Sequence, residues 1–168
     1  MNSHYFTVIT DPDKEKSPVV PDGVNVDVVG LREAEMTENP DYLKRKIVTT
    51  MNMFFNKGFD DVCYIAPNTL LRKFPSELYD TPDSHATVYK HEKVVDSGVN
   101  VRAVWDVAPQ SYLVDNMVHV RSKAFAEEWL KMTFKPFFQN YNGHEMDVLN
   151  MLVYYGDYRV RVRDLSEL

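Results

Sequence analysis

An apolar stretch that ends abruptly in a polar turn, Asp61-Val-Cys-Tyr-Ile-Ala-Pro-Asn-Thr-Leu-Leu71, constrains this chain more than any other feature. Its first part, Asp61 to Ile65, predicts a buried strand, because a short apolar run bounded by turn residues is typical of an interior strand of a parallel sheet. In open α/β sheets, the residues that follow such strands reach a ligand crevice at the carboxyl ends of the strands. We therefore expect a binding site directly after Ile65.

The elements around this strand alternate as in an α/β fold. The further strands that we expect are residues 5–10, 24–29, 86–89, 99–104, 116–120 and 158–162, and the helices are residues 40–56, 122–132 and 144–154. Asn39 and Ser122 are predicted N-caps, and Lys57-Gly58 is predicted to end the first helix. The pattern predicts an α/β domain with a mixed, mainly parallel sheet flanked by helices. We expect residues 1–168 to form one compact domain.

Apolar residues at helical spacing predict which helix faces pack on the sheet. In the first helix these residues are Leu43, Ile47, Met51, Phe54 and Phe55, and in the second they are Phe125, Trp129 and Met132.

Composition excludes several classes of protein. The net charge of -6 argues against a general nucleic-acid binder, and no apolar run approaches the roughly 20 residues of a membrane span. Cys63 is the single cysteine, so no internal disulfide can form, and we expect a cytoplasmic protein whose thiol packs in the core. The glycine-rich phosphate loops and the Gly-x-Ser-x-Gly nucleophile motif are absent from the sequence.

Two clusters of basic residues and two histidines have more than one interpretation. Arg159 to Arg163 alternate arginine with valine, which favours the solvated side of a strand. Lys44-Arg45-Lys46 is explained equally well by a solvated helix turn and by phosphate binding. His119 and His144 have no partner at metal-ligand spacing, so each is predicted to be a solitary histidine, solvated or at the edge of the core.

The stretch around Asn68 resembles a segment of the GT-A nucleotide-sugar glycosyltransferases, in which an apolar strand runs into Tyr-Leu-Asp-x-Asp-Thr. Ala66 and Asn68 stand at the two aspartate positions, with Pro67 between them. Asp115-Asn-Met-Val-His-Val120 is similar to the strand that lines the donor sugar in glycosyltransferase family 8. Glu145-Met-Asp-Val-Leu-Asn150 is similar to that family's Asp-Gln-Asp-x-Leu-Asn helix start. The resemblance covers roughly Tyr5 to Val162 and rests on the order of these matches.

This resemblance implies a GT-A-like (Rossmann-like) fold and an enzyme that transfers a hexose from a nucleoside-diphosphate sugar to a carbohydrate or protein acceptor. It also implies manganese or magnesium, which the family's two aspartates hold under the diphosphate. Ala66 has no side-chain ligand atom and Asn68 has only a neutral amide oxygen, so the motif is degenerate. Basic side chains would then have to meet the charge that develops on the β-phosphate.

The site residues that the resemblance implies lie mostly at strand ends and helix starts. Those expected to hold the nucleotide are Thr10, Asp11 and Asn68, those expected to steady phosphate are Lys44 and Lys46, and those expected to meet the sugar are Asn116, Glu145 and Asp147. Glu145 and Asp147 are also the candidates for catalysis. An ordinary turn at Thr10 and Asp11, and helix-dipole stabilisation by the two carboxylates, remain alternatives.

Two other functional interpretations remain open. One is a non-catalytic module that binds a saccharide or a protein on a degenerate GT-A scaffold. The other is an unrelated α/β fold, which an antiparallel arrangement of the Tyr64 strand with its neighbours on both sides would indicate. The family's His-x-x-Gly-x-x-Lys-Pro-Trp segment has no counterpart after Val162, so we expect a partner subunit or domain to complete the diphosphate site.

Overall fold

The computed structural model describes residues 6–10, 26–30, 45–66, 83–90, 113, 117–136 and 145–164. The chain divides into two compact units, Met1–Leu43 and Lys44–Leu168, which are taken in turn. The expected strand at residues 99–104 lies outside the described residues, as does Leu43.

In the first unit, two strands form a parallel pair. Strand β1 (Phe6–Thr10) lies beside β2 (Val26–Gly30), with Phe6 opposite Val26 and Thr10 opposite Gly30. Both strands were expected from the sequence, within two residues at each end. A parallel pair requires a crossover connection rather than a tight hairpin, and residues 11–25 separate the two strands in sequence.

The second unit combines three helices with a four-stranded sheet. Its elements are α1 (Lys46–Asn56), β3 (Val62–Ile65), β4 (Ala86–Lys90), β5 (Met117–Val120), α2 (Lys123–Thr133), α3 (Glu145–Tyr155) and β6 (Val160–Asp164). Each of these elements was expected, but the expected surroundings of β3 are wrong. It is half-buried, it lies at one edge of the described sheet, and its described neighbour β5 is antiparallel to it, because the apolar pattern of a short strand does not specify its neighbours. Within the described part of the chain, no helix is long and apolar enough to cross a membrane.

The sheet order is β3-β5-β4-β6, with β5 antiparallel to both of its neighbours and β4 parallel to β6. The expected mixed sheet is confirmed. The expected excess of parallel pairing is not seen among the described strands, where two pairings are parallel and two are antiparallel. A central strand buried on both faces has the same apolar pattern in either direction, so the sequence did not reveal that β5 is reversed.

The direction of the strands defines two edges of this sheet. At the Ala66 edge, β3 and β4 end and β5 begins, so that Ile65 lies opposite Met117. At the opposite edge, called the Asp61 edge, β3 begins and β5 ends. Residues 57–61 return the chain from α1 to β3, so α1 runs antiparallel to β3 and begins toward the Ala66 edge.

The directions of the other two helices follow from the strands to which they connect. Helix α2 starts directly after β5, at the Asp61 edge, and therefore ends toward the Ala66 edge. Helix α3 leads into β6, which starts at the Asp61 edge, and therefore begins toward the Ala66 edge. The start of α1, the end of α2 and the start of α3 thus lie at the same end of the helix layer.

The main core lies between the helices and one face of the sheet. Val118 and Val120 of β5 point into it, as the alternation of a strand requires. The fully or nearly fully buried residues of this core are Ile47, Val48, Met51, Phe55, Ala86, Val88, Leu113, Val118, Val120, Phe125, Ala126, Trp129, Met146, Val148, Leu149 and Leu152. Most of the predicted inward positions of α1 and α2 are confirmed, although Phe54 and Met132 are only half-buried.

Local signals explain the end of α1 and the start of α2. The predicted start of the first helix at residue 40, with Asn39 as N-cap, is wrong: Arg45 is the N-cap of α1, its side chain makes no capping bond, and Glu145 of another helix satisfies the first-turn N–H groups. The hydroxyl of Ser122 accepts a hydrogen bond from the N–H of Phe125 at 3.3 Å and caps α2, as expected. Helix α1 ends at Asn56, and the chain turns away at Gly58. The φ of Gly58 is 93°, which is favourable for glycine because it has no side chain. The N–H of Phe59 then returns to the carbonyl of Phe54.

Asn150 anchors the backbone at Leu113 to α3. Its amide oxygen accepts from the N–H of Leu113 at 2.8 Å, and its amide nitrogen donates to the carbonyl of Leu113 at 3.0 Å. Both residues are buried, so the side chain satisfies two backbone groups that have left water. Leu113 precedes β5, and Asn150 therefore helps to place the chain where it enters the central strand.

We expect Asn150→Ala to lower the free energy of unfolding by about 2–4 kcal/mol, because it leaves both backbone groups of Leu113 buried without this partner. Asn56→Ala, at the exposed end of α1, is the matched control and should change stability by less than about 0.5 kcal/mol. Urea denaturation monitored by circular dichroism measures both. Equal effects of the two substitutions would contradict the anchoring role.

Candidate functional site

The carboxylate of Glu145 caps a helix other than its own. Oε1 accepts from the backbone N–H of Ile47 at 3.1 Å, and Oε2 accepts from that of Val48 at 2.8 Å. These N–H groups belong to the first turn of α1 and have no partner within the helix. The negative charge also lies at the positive end of the α1 dipole. Glu145 is 6% exposed, so the contact joins the starts of α3 and α1 inside the protein.

Arg45, which directly precedes α1, connects the start of α1 to the end of α2. Its guanidinium Nε and Nη2 both donate to the carbonyl of Thr133 at 3.4 Å, and the group stacks 4.3 Å from the ring centroid of Phe134. Thr133 ends α2, so this cation lies at the negative end of a helix. Arg45 is therefore a buried structural residue, and the basic cluster of the sequence is not a uniform solvated turn.

Two further side chains connect the three helices through hydrogen bonds. Trp129 Nε1 donates to the carbonyl of Glu145 at 2.7 Å, which links α2 to the start of α3. Asn52 Nδ2 donates to the carbonyls of Val48 and Ala126, both at 2.8 Å, which links α1 to α2. We call the contacts of Glu145, Arg45, Trp129 and Asn52 the helix junction.

The predicted site residues that the structure describes lie largely around this junction. Lys46 is half-buried and lies in sequence between Arg45 and Ile47, both of which are held by other helices. Asp147 is 0% exposed in the first turn of α3. Thr10 ends β1 in the first unit. The structure thus brings together Lys46 and Glu145, at the start of α1.

The remaining predicted residues, which are Asp11, Lys44, Pro67, Asn68 and Asn116, lie outside the described residues, as does His144. Their roles stay predictions. Ala66 and Met117, next in sequence to Pro67 and Asn116, are described, and the pairing of Ile65 with Met117 places the end of β3 and the start of β5 at the Ala66 edge.

The structure does not favour a metal at the first aspartate position. Ala66 is buried and supplies no side-chain oxygen. Among the residues that the structure describes, no group of three or more histidine, cysteine, aspartate or glutamate side chains is arranged to hold an ion. The hard-oxygen site that the resemblance implies therefore does not fit these residues.

The other face of the sheet carries a polar network that the sequence analysis missed. His119 Nε2 lies 3.1 Å from Asp61 Oδ1, and His119 Nδ1 lies 3.0 Å from Arg121 Nη2. Arg121 Nη1 donates to Ser84 Oγ at 3.2 Å and to Thr87 Oγ1 at 3.0 Å. The network connects β3, β4 and β5 near the Asp61 edge, at the other end of the sheet from the helix junction.

The partners of His119 determine its tautomer. A guanidinium can only donate, so Nδ1 of His119 accepts from Arg121 and a neutral ring carries its proton on Nε2. That proton is then donated to the Asp61 carboxylate. With 2% exposure, His119 is buried and paired, so the solitary, solvated form of the prediction is wrong.

A period of two along the strands could have revealed this network. Asp61 and Cys63 alternate with Val62 and Tyr64, and His119 and Arg121 alternate with Val118 and Val120. The alternation predicts a second, more polar face for each strand. It does not predict the antiparallel register that sets Cys63 opposite His119, because register depends on pairing across the sheet.

Cys63 lies on this face beside Met117 and Tyr89. Burial, and to a smaller extent the Asp61 carboxylate, raise the pKa of its thiol, Arg121 opposes the rise, and the resulting pKa is about 12. The side chain is therefore a protonated thiol at neutral pH. A thiolate nucleophile is excluded at this position, in agreement with the packing role expected from the sequence.

Comparisons of the chain with protein-family models, curated proteins and solved structures found no match.

We expect folded protein to react with iodoacetamide at pH 8 about 1,000-fold more slowly than unfolded protein, because the thiolate fraction falls with the raised pKa. Only the unfolded state loses this proton between about pH 9 and 12, so the contribution of Cys63 to stability should decrease through that window. Comparison with Cys63→Ala isolates this contribution. Equal alkylation rates in the two states would contradict the burial of the thiol.

Proposed function

We propose that this protein is a GT-A-like glycosyltransferase that binds a nucleoside-diphosphate sugar at the Ala66 edge and uses basic side chains in place of a carboxylate-bound metal. The observation that carries the proposal is the convergence at one end of the second unit. The end of β3, the start of α1 and the start of α3 come from separate segments that resemble this family, and the strand directions bring all three to that end.

The topology of the second unit supports the proposal. Strands β3, β4 and β6 run in one direction and β5 is reversed between two of them, which is compatible with a mixed GT-A sheet. In α/β sheets of this kind, ligands bind outside the carboxyl ends of the parallel strands. The Ala66 edge is that end for β3 and β4.

The proposed reaction moves a hexose to a hydroxyl of a carbohydrate or protein acceptor. The acceptor oxygen forms a bond to the anomeric carbon, and the bond between that carbon and the β-phosphate oxygen breaks. The nucleoside diphosphate leaves with the electron pair, and the proton of the hydroxyl passes to an oxygen of the leaving diphosphate. Asp147, the base expected from the sequence, is 0% exposed and is not assigned this step. Negative charge develops on the leaving phosphate, so cations there stabilise the transition state.

The residues of this chain supply the binding contacts of the proposal. Lys46, with Lys44, would meet the diphosphate, Asn116 would meet the sugar and Asn68 would hold the nucleotide. Asp147 is 0% exposed, so no sugar contact is assigned to it. No step is assigned to manganese or magnesium, since Ala66 offers no ligand to either ion.

A second candidate function is a non-catalytic module that binds a saccharide or a protein on the same scaffold. Two observations favour it: Ala66 replaces a metal ligand, and both carboxylate oxygens of Glu145 are already engaged by backbone N–H groups. The two candidates differ in whether they bind and cleave a sugar nucleotide.

Calorimetry with uridine and guanosine diphosphate sugars, each with and without manganese, tests the proposal. We expect binding of one donor with an affinity that manganese changes less than about 3-fold, because no carboxylate pair holds the ion. Slow release of free sugar from the bound donor would support the enzyme. A lack of affinity for every donor under both conditions would instead favour the non-catalytic module.

The location of the site has an independent test. Ala66→Asp combined with Asn68→Asp restores two carboxylates at alternate positions after β3, and we expect this variant to gain manganese affinity in the range of about 10–1,000 μM. Because Ala66 is buried, the variant should also be less stable, and its melting temperature should rise on addition of manganese. Ala66→Asn with unchanged Asn68 is the uncharged control. A folded double variant that binds no metal would show that the site is wrongly placed.

A further inference from the structure

The backbone on each side of Lys46 is held by a different helix. Before it, Arg45 donates to the carbonyl of Thr133 at the end of α2. After it, the N–H groups of Ile47 and Val48 donate to Glu145 at the start of α3. The position of Lys46 is therefore determined by tertiary contacts as well as by its own helix.

We infer that Glu145 is a positioning residue for Lys46: its carboxylate fixes the first turn of α1, so that the ammonium group is placed to meet the diphosphate. This inference rests on the proposed function and changes the role of Glu145 within it. The residue would act through α1 and would not touch the sugar.

The geometry of the carboxylate supports this role over direct contact with a substrate. Each oxygen already accepts one backbone hydrogen bond, and the side chain is 6% exposed. The charge of Glu145 is stabilised by the α1 dipole and by the two N–H groups. Because the side chain is also buried, a sugar hydroxyl has little access to its oxygens.

Positioning of this kind has an energetic reason. A lysine side chain has several rotatable bonds, so fixing it in one conformation against a phosphate costs conformational entropy. A backbone that is already held on both sides lowers the part of this cost that comes from the main chain. Loss of the Glu145 contact should therefore weaken diphosphate binding only where Lys46 contributes to it.

The first measurement is amide hydrogen exchange in the full chain. In Glu145→Gln, the side-chain amide has a single acceptor oxygen, so Ile47 and Val48 can no longer both be capped. We expect exchange of at least one of these two N–H groups to become about 10-fold faster. Glu127→Gln, at an exposed residue that pairs with Lys123 at 3.7 Å, is the matched control and should leave both rates unchanged.

The second measurement is a double-mutant cycle on binding of uridine diphosphate and guanosine diphosphate. We expect Lys46→Ala to weaken the better ligand about 10-fold and Glu145→Gln to weaken it about 3-fold or more. The double variant should bind about as weakly as Lys46→Ala alone, because Glu145 acts through the lysine. Glu145→Asp, which keeps the charge but shortens its reach, replaces Glu145→Gln if that variant does not fold.

The outcomes separate the inference from the proposed function. Equal loss of affinity on Glu145→Gln with and without Lys46 would overturn the inference and leave the proposed function standing, because Glu145 would then act on the ligand directly. Unchanged exchange at Ile47 and Val48 would also overturn it. If the unmodified chain binds neither diphosphate, the proposed function fails, and Glu145 is a helix cap without a role in binding.

Discussion

The carboxylate of Glu145 at the start of α1 is the contact on which the helix layer of this protein depends. It brings the N-termini of two helices together, an arrangement that would be repulsive between their dipoles without a negative charge between them. The Trp129 hydrogen bond to the carbonyl of the same residue adds the third helix. Because these groups are buried, each needs its partner, and the junction is therefore specific as well as stabilising.

The four-stranded sheet uses its two faces differently. One face supplies valines to the core under the helices, whereas the other holds Asp61, His119 and Arg121 in a chain of hydrogen bonds with Thr87 and Ser84. Strand β5 is buried on both faces, and its polar residue His119 has a partner at each ring nitrogen. The network ties three strands together at the Asp61 edge, while the proposed ligand site is at the opposite edge. Under the proposed function, stability and binding would thus be separated along the strands.

The proposed function also accounts for the lack of a carboxylate at Ala66. In the proposed site, Ala66 stands where the enzymes that this chain resembles have a metal-binding aspartate, and it is buried without a charge at the end of β3. A site without that carboxylate has less negative charge to neutralise, so a lysine placed by the helix junction is a reasonable substitute for a bound cation. Such a site would be less sensitive to divalent metals than the sites of the enzymes it resembles.

The sequence by itself determined most of the local structure. Turn residues, caps such as Ser122 and the spacing of apolar residues such as Ile47 and Trp129 act over a few positions, and they located every helix and strand that the structure describes. Tertiary structure decided the reversed direction of β5, the burial of Arg45 and the partners of Glu145 and His119. Most of these features join residues far apart in the chain, such as Asp61 and His119, 58 positions apart, and Ile47 and Glu145, 98 positions apart. Local periodicity carries no information on such pairs, because only the packed chain brings their atoms within hydrogen-bonding distance.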